Sequence, residues 1–289
     1  MNYFFSIVTP SYNRKEKLQV LFASLNKQSG ICFEWIIVDD GSEDDTKQTV
    51  SEFIKNKKNI TNIKYIYQKN KGKHNAVNRG IMSCSGEYIV IIDSDDYLCD
   101  RALETVKSVI DKQKVSERDD IICISGVKVN KQYKPVSYIA NESVAIMSHY
   151  EWFYEKNHIG DRIDFYKACV LKGTLFNNFP QEKFLTEDAL WLELEGLKIF
   201  INEKLLVVDY LDGGLSSRYD LLLKNNPFGT AYYYYVLLTS SDNLTLKLKA
   251  SMLIVYYIFL AIIKNSNTLL GLLSIILLPI TCLIKLLKK

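Results

Sequence analysis

The run Tyr88-Ile89-Val90-Ile91-Ile92 constrains this 289-residue chain more than any other stretch, because it is apolar and β-branched and then stops abruptly in Asp93-Ser94-Asp95-Asp96. A short, unbroken apolar run of this kind reads as a strand buried on both faces. In an open α/β sheet, ligands gather beyond the carboxyl ends of the strands, so these acids point at a crevice. Three carboxylates this close repel one another unless a cation joins them. Mg2+ and Mn2+ favour such hard oxygen ligands, usually one or two carboxylates with phosphate oxygens of a bound molecule. The same residues also suit an acidic turn in which Asp96 or Asp100 caps the next helix. On this stretch alone the two readings stand side by side.

The residues before it repeat one pattern. Residues 3–8 form an apolar strand that ends in Thr9-Pro10-Ser11-Tyr12-Asn13-Arg14, where Pro10 stops pairing and Ser11 or Asn13 can cap a helix. Leu18, Leu21, Phe22 and Leu25 then fall on one helical face. Phe33 to Val38 is a second strand, and it too runs into acids, Asp39-Asp40-Gly41-Ser42-Glu43-Asp44-Asp45. Ser42, Asp44 or Asp45 caps a helix over about residues 46–57. Ile63 to Tyr67 is a third strand, and the polar stretch 70–80 passes into a third helix. Strand and helix thus alternate over the first hundred residues, which implies a mostly parallel sheet with right-handed crossovers. Two of its strands end in acids. If they are neighbours, both deliver carboxylates to one crevice, one set for a metal and the other for the hydrogen-bond donors of a base or ribose. Neither a G-x-G-x-x-G nor a G-x-x-x-x-G-K-[ST] sequence is present, which argues against a dinucleotide fold and a P-loop.

A net charge of +3 is too small to argue for nucleic acid. The six cysteines are scattered without a C-x-x-C pair, which fits a reducing compartment and suggests neither zinc nor a disulfide framework. The first residues lack the basic region of a signal peptide.

Together these segments resemble the family 2 glycosyltransferases of the GT-A fold. Ser6 to Arg14 resembles the family's opening strand. Val38-Asp39-Asp40-Gly41-Ser42 with Thr46 resembles its V-D-D-G-S-x-D-x-T motif, stretched by one acidic residue. Ala76-x-Asn78-x-Gly80 and Gly86-x-Tyr88-Ile89 resemble the next block, and Asp93-Ser94-Asp95 fits its D-x-D motif. The resemblance implies a nucleotide-sugar donor, most often UDP-linked, and a divalent metal, Mn2+ or Mg2+. It implies that Thr9, Pro10, Tyr12 and Asp40 lie near the nucleoside, with Asp40 on the base. Asp93 would contact the ribose or diphosphate, and Asp95 the metal. The chemistry accords with these groups: charge grows on the departing diphosphate as the sugar becomes oxocarbenium-like, and an acceptor hydroxyl needs a carboxylate base beside it.

Further along, 101–113 reads as a helix and Asp120 to Val129 as a strand. His149 and His158 are lone histidines, read as exposed or hydrogen-bonded and not as ligands. Gly160 to Lys167 reads as a strand returning near the site, with Asp161 or Arg162 toward acceptor or diphosphate, or else as an ordinary salt-bridged surface. Phe184-Leu185-Thr186-Glu187-Asp188-Ala189-Leu190-Trp191-Leu192 is the second key stretch, in which Thr186 can cap a helix bearing Leu190, Trp191 and Leu194. Acids in a first helical turn are favoured by the helix dipole alone. The family resemblance instead implies that Asp188 is the catalytic base, with Glu187 its neighbour. The Q-x-x-R-W signature of processive relatives is missing, which points to transfer of a single sugar. Gly213 to Tyr219 resembles a loop closing over the donor, with Arg218 toward the diphosphate.

The C-terminal part differs in kind. Tyr232 to Tyr235 open a helical region, Ala250 to Ile263 are uncharged, and a second uncharged run extends from Asn265 to Ile284 before Lys285, Lys288 and Lys289. Both runs are short or borderline for a bilayer core of about 30 Å, and Pro279 interrupts the second. The expected arrangement is a peripheral or re-entrant anchor through 250–289 in the inner leaflet, at the cytoplasmic face of the membrane. Packing of a helical hairpin on the domain is the alternative. The expectation is therefore an α/β GT-A domain over 1–228, with a nucleotide-binding half (1–100) and an acceptor-binding half (101–228), followed by a helical membrane-associating region over 229–289. The function expected is inverting, metal-dependent transfer of one sugar to a saccharide or lipid-linked acceptor in surface polysaccharide synthesis, without nucleic acid. The rivals are a silent scaffold of the same fold and a sugar nucleotidyltransferase.

Overall fold

The computed structural model describes residues 3–209 and 218–264. The chain groups into two compact units, one of Met1–Leu175 with Leu194–Leu211, the other of Phe176–Glu193 with Asp212–Lys289.

In the first unit β1 (Phe5–Ser11), α1 (Lys15–Lys27), β2 (Phe33–Asp39), α2 (Thr46–Asn56), β3 (Asn62–Tyr67), α3 (Lys73–Met82) and β4 (Tyr88–Ile91) follow in turn. After them come β5 (Tyr97–Leu98), α4 (Ala102–Lys112), β6 (Ile121–Val129), β7 (Val144–Met147), β8 (Arg162–Lys167), α5 (Ala168–Gly173) and β9 (Leu197–Val207). One sheet orders its strands β3-β2-β1-β4-β8-β6-β9-β5, with β7 also on β9. The strands β3, β2, β1 and β4 are all parallel. β8 joins β4 and β6 antiparallel, while β6 and β9 are again parallel. β5 and β7 each join β9 antiparallel, so among the described residues four pairs are parallel and four antiparallel; the parallel pairs make up most of the ladder, and helices flank the sheet in the manner of a GT-A fold.

The β-branched and aromatic strands pack one face against α1, α2 and α4. Phe5, Ile7, Phe33, Trp35 and Ile37 meet Leu18, Leu21, Leu25, Val50 and Val106 in one cluster, all essentially excluded from solvent. Phe22 stacks on Phe53 at 4.2 Å. Each such fully buried side chain contributes roughly 1.5–3 kcal/mol. On the other face α3 lies close to β1. A Cβ on Gly80 would fall 2.3 Å from Val8 Cγ1, so only glycine admits this approach.

In the second unit the described elements are α6 (Asp188–Trp191), α7 (Tyr219–Asn225), α8 (Pro227–Ser240) and α9 (Leu244–Lys264). Glu182 accepts the Phe228 and Gly229 N–H groups at 2.8 and 2.7 Å, satisfying donors left open by the first turn of α8. Ala231 and Leu238 of α8 pack with Ala250, Ile254, Tyr257 and Ile258 of α9. α9 is long and apolar enough to cross a membrane, with a mean hydropathy of 1.9 over its most apolar window.

Candidate active site

The parallel order β2-β1-β4 sets the site's frame. The two acidic strand ends are not neighbours: they flank the end of β1, one on each side. Ladder bonds hold all three ends in register. Asp40 N–H donates to the Ser11 carbonyl at 2.8 Å, and Ile92 N–H to the Val8 carbonyl at 2.9 Å.

At the end of β2 both carboxylates are buried and bonded to the protein. Asp39 accepts Ser42 N–H at 2.7 Å and the Tyr65 hydroxyl at 2.5 Å. Burial and then the Asp39 charge push the Tyr65 hydroxyl well above the usual phenol value. Asp40 accepts Gln68 Nε2 at 2.8 Å, Lys71 N–H at 2.9 Å and Gly72 N–H at 2.8 Å. It thereby clamps the loop that leads into α3. Gly41, at φ +88°, makes room for that loop, since a Cβ there would meet Asn70 N at 2.8 Å. Bonds to an ionised carboxylate are among the stronger ones in proteins. The chain thus uses Asp40, expected on the base, to build the loop.

The β1 end is tied to the β2 end. Asn13 N–H donates to Ser42 Oγ at 2.9 Å, and Asn13 Oδ1 accepts Glu43 N–H at 2.8 Å. Asp44, and neither Ser42 nor Asp45, meets the start of α2 by accepting Thr46 N–H at 3.1 Å, and it also accepts the Lys15 N–H that opens α1 at 3.3 Å. Thr9, expected near the nucleoside, has its hydroxyl elsewhere. It is fully buried and Oγ1 accepts the Trp35 indole N–H at 3.0 Å, because a buried indole needs an acceptor. Pro10 is buried as well, whereas Tyr12 presents an exposed ring. Ser11 Oγ is buried without a hydrogen-bond partner.

The β4 end is more open. Lys73, the first residue of α3, places its ammonium 2.7 Å from Asp93 Oδ1. Burial alone would raise the Asp93 carboxyl, and the Lys73 charge outweighs it and holds that carboxyl low. Asp96 is buried, and burial followed by the Asp93 charge pushes it up to about 7. Asp95 meets the Arg14 guanidinium at 3.9 Å, too far for a hydrogen bond. Among the described residues no group of three or more His, Cys, Asp or Glu side chains is arranged to hold a metal. The donor set does fit a divalent cation in its other common mode, one open carboxylate plus a ligand's phosphates.

Several expected residues fall elsewhere. Arg162 is buried, and its guanidinium donates to the Ser125 carbonyl at 3.0 Å and the Tyr138 carbonyl at 2.9 Å, below Trp152. It ties β8 to β6 and β9. Asp161 is exposed. His149 is buried against Lys198 Nζ at 3.0 Å, and His158 stacks on Tyr138. In the second unit Asp188 and Glu187 are partly exposed at the start of α6. That helix is a single turn, and the Thr186 hydroxyl does not cap it but accepts the Tyr219 hydroxyl at 3.0 Å. Arg218 is exposed just before α7, while Gly213 to Ser217 lie outside the described residues, as do 265–289. Sequence reasoning passed over Lys73, Gln68 and Tyr65. Lys73 alone carried a local signal, a lysine opening a helix after a glycine.

Comparison with known proteins agrees with this outline. The chain matches the family described as Glycosyl transferase family 2 over residues 6–175, more than half its length. It is 25% identical over 201 residues to the GalNAc(5)-diNAcBac-PP-undecaprenol beta-1,3-glucosyltransferase of Campylobacter jejuni, covering 69% of this chain and 62% of that protein. It is 34% identical over 125 residues to the glycosyltransferase GlyG of Streptococcus pneumoniae, 43% of this chain and 39% of that one. The chain thus spans less than two thirds of either relative. Among solved structures, Staphylococcus aureus TarS 1–349 with UDP-GlcNAc has a TM-score of 0.58 at 18% identity, over 89% of this chain and 81% of that one. A Pyrobaculum calidifontis mannosyltransferase in complex with GDP-Man and Mn2+ has a TM-score of 0.57 at 12% identity, over 95% and 79%. At these identities the structural likeness is one of fold, and the family match is what assigns membership: the chain belongs to glycosyl transferase family 2.

Proposed function

We propose that the chain moves one sugar from a UDP-linked donor to a saccharide or lipid-linked saccharide acceptor, inverting the anomeric centre with help from a divalent metal. The observation that carries this reading is the β4 end, where Asp95 keeps an open carboxylate beside a fixed Asp93–Lys73 pair. The TarS complex with UDP-GlcNAc supports UDP, and the mannosyltransferase with GDP-Man makes GDP the rival. The undecaprenol-linked substrate in the Campylobacter relative's name supports a lipid-linked acceptor and a place at the cytoplasmic face of a membrane, in surface polysaccharide synthesis.

In this reading 1–228 is catalytic and 229–289 seats the protein on the membrane. Tyr12 lies against the nucleoside, and Asp40 orders the loop beside the base. Asp93, oriented by Lys73, receives the ribose or diphosphate. Asp95 holds the cation, which when bound offsets charge growing on the departing diphosphate. Asp188 takes the proton of the acceptor hydroxyl as that oxygen attacks from the side opposite the leaving group. Glu187, Asp161 and Arg218 are the remaining acceptor or diphosphate contacts.

Calorimetric titration of UDP, GDP and CMP, with and without Mn2+, tests the reading on the wild type and on Asp95→Asn. UDP should bind with Mn2+ and lose that binding in the variant. Preference for GDP would replace the donor, and binding indifferent to Mn2+ and to Asp95 would remove the metal. A folded protein that binds no nucleotide would overturn the proposal.

A further inference from the structure

α9 is apolar on both of its long sides. Ala250, Ile254, Tyr257, Ile258 and Ala261 are buried along one side. On the opposite side Leu244, Leu248, Met252, Val255, Phe259 and Ile263 are each between 56% and 73% exposed. Their spacing of three and four residues sets them in one stripe along the whole helix. A contiguous apolar surface of this extent marks an interaction site.

Charge selects the occupant. Residues 244–289 contain six lysines and no acidic residue. Since the whole chain carries +3, the remainder carries a net −3. Apolar surface combined with unopposed lysines matches an anionic lipid surface. A second copy of the chain fits poorly, because a two-fold contact would set lysines against lysines. The sequence after α9 continues the same character, with twenty uncharged residues from Asn265 to Ile284.

Packing selects the orientation. At 21 residues α9 is about 31 Å long, enough to cross a bilayer core. Its inner side, however, is packed on α8, which at 14 residues is only about 21 Å long. The Tyr232 hydroxyl of α8 is hydrogen-bonded to Glu193 and Asn177. An upright α9 would drag these polar groups into hydrocarbon or strip its own inner side.

We propose that the outward stripe of α9 is a lipid-binding surface that lies flat on an anionic bilayer. This rests on the membrane reading above and adds the face, the orientation and the lipid class. The full-length protein is floated with phosphatidylglycerol-containing vesicles and with neutral phosphatidylcholine vesicles. Binding should be about tenfold or more stronger to the anionic vesicles at 0.15 M salt, and the difference should shrink at higher salt. Val255→Glu/Phe259→Glu should reduce bound protein about tenfold or more, with the wild-type circular dichroism and nucleotide affinity. Leu248→Trp and Ile263→Trp, read by brominated lipids, should be quenched at equal depth.

Flotation indifferent to the stripe variants would overturn this proposal while leaving the membrane reading intact. So would equal affinity for neutral vesicles, or unequal depth at positions 248 and 263. No flotation with either vesicle would overturn the membrane reading itself. A stable dimer that Val255→Glu dissociates would assign the stripe to a second copy instead.

Discussion

At the end of β2, Asp39 and Asp40 are enclosed and accept hydrogen bonds from Ser42, Tyr65, Gln68, Lys71 and Gly72. At the end of β4, Asp95 is left with a distant Arg14, and Asp93 is paired with Lys73. Both ends read alike in sequence, as acids closing a buried parallel strand. The difference lies in the segments that close over them. Backbone N–H groups of the turn after β2 and of the loop before α3 point back onto the β2 carboxylates, whereas the β4 turn leaves Asp95 unclosed. Acids at a strand end are thus building material in one place and available chemistry in the other.

A third strand acid tests the extreme of this contrast. Asp164 on β8 meets the buried Lys198 ammonium at 2.6 Å. Burial alone would raise its carboxyl; the Lys198 charge and hydrogen bond outweigh this and hold it low. A carboxyl lowered by folding contributes stability that is present above its ordinary value of about 3.9 and lost as pH falls through the lowered value. Asp164→Asn should therefore cost about 3–5 kcal/mol near neutral pH, by removing the negative charge that offsets the buried Lys198 ammonium. The gap to wild type should close in strong acid. Urea unfolding at several pH values measures both, and a variant as stable as wild type at pH 7 would show that the pair is not buried in solution.

Asp95→Asn should do the reverse. Turnover should fall about 100- to 1000-fold, as when a group that stabilises developing charge is removed, while the unfolding midpoint stays put. A large loss of stability would place Asp95 in the same class as Asp40. Asp40→Asn comes next, at about 1–3 kcal/mol, because its loop donors lose a charged acceptor. Hydrogen exchange at Lys71 and Gly72 should rise with it. A variant of unchanged stability that has lost nucleotide binding would return Asp40 to a direct role on the base. The smallest effect expected is for Thr9→Val, about 1–2 kcal/mol from an unpaired Trp35 indole, with nucleotide affinity unchanged.

The alternating elements of the first hundred residues were legible because each has a local cause. Short β-branched runs, one-faced leucines and acids or glycines at the joints mark β2 through β4 to within a residue, whereas β1 runs three residues past its expected end at Val8, because Pro10 stays in register with Val38 instead of stopping the pairing. β9 was not legible. Its centre, Asn202-Glu203-Lys204, breaks the apolar pattern, and its partner β6 lies some seventy residues earlier, so its pairing leaves no local trace. Arg162 stayed open between two readings for a related reason. An arginine opening a strand looks like a ligand group until the carbonyls of Ser125 and Tyr138 come in from other segments. Thr9 was placed near the nucleoside by its motif, yet its hydroxyl answers to Trp35, twenty-six residues away. The Thr186 helix was expected to reach Leu194 and stops at Trp191.

On the function proposed above, the mutual bonds of Asn13 with Ser42 and Glu43, and of Asp40 with Lys71 and Gly72, bear on the thermodynamics of nucleotide capture. Loops already held in place have little conformational entropy left to surrender when a ligand arrives. The affinity for a nucleotide then reports its own contacts, without a toll for organising the receptor. Association should be a single rapid phase, and its heat-capacity change no larger than the apolar surface of the nucleoside itself requires.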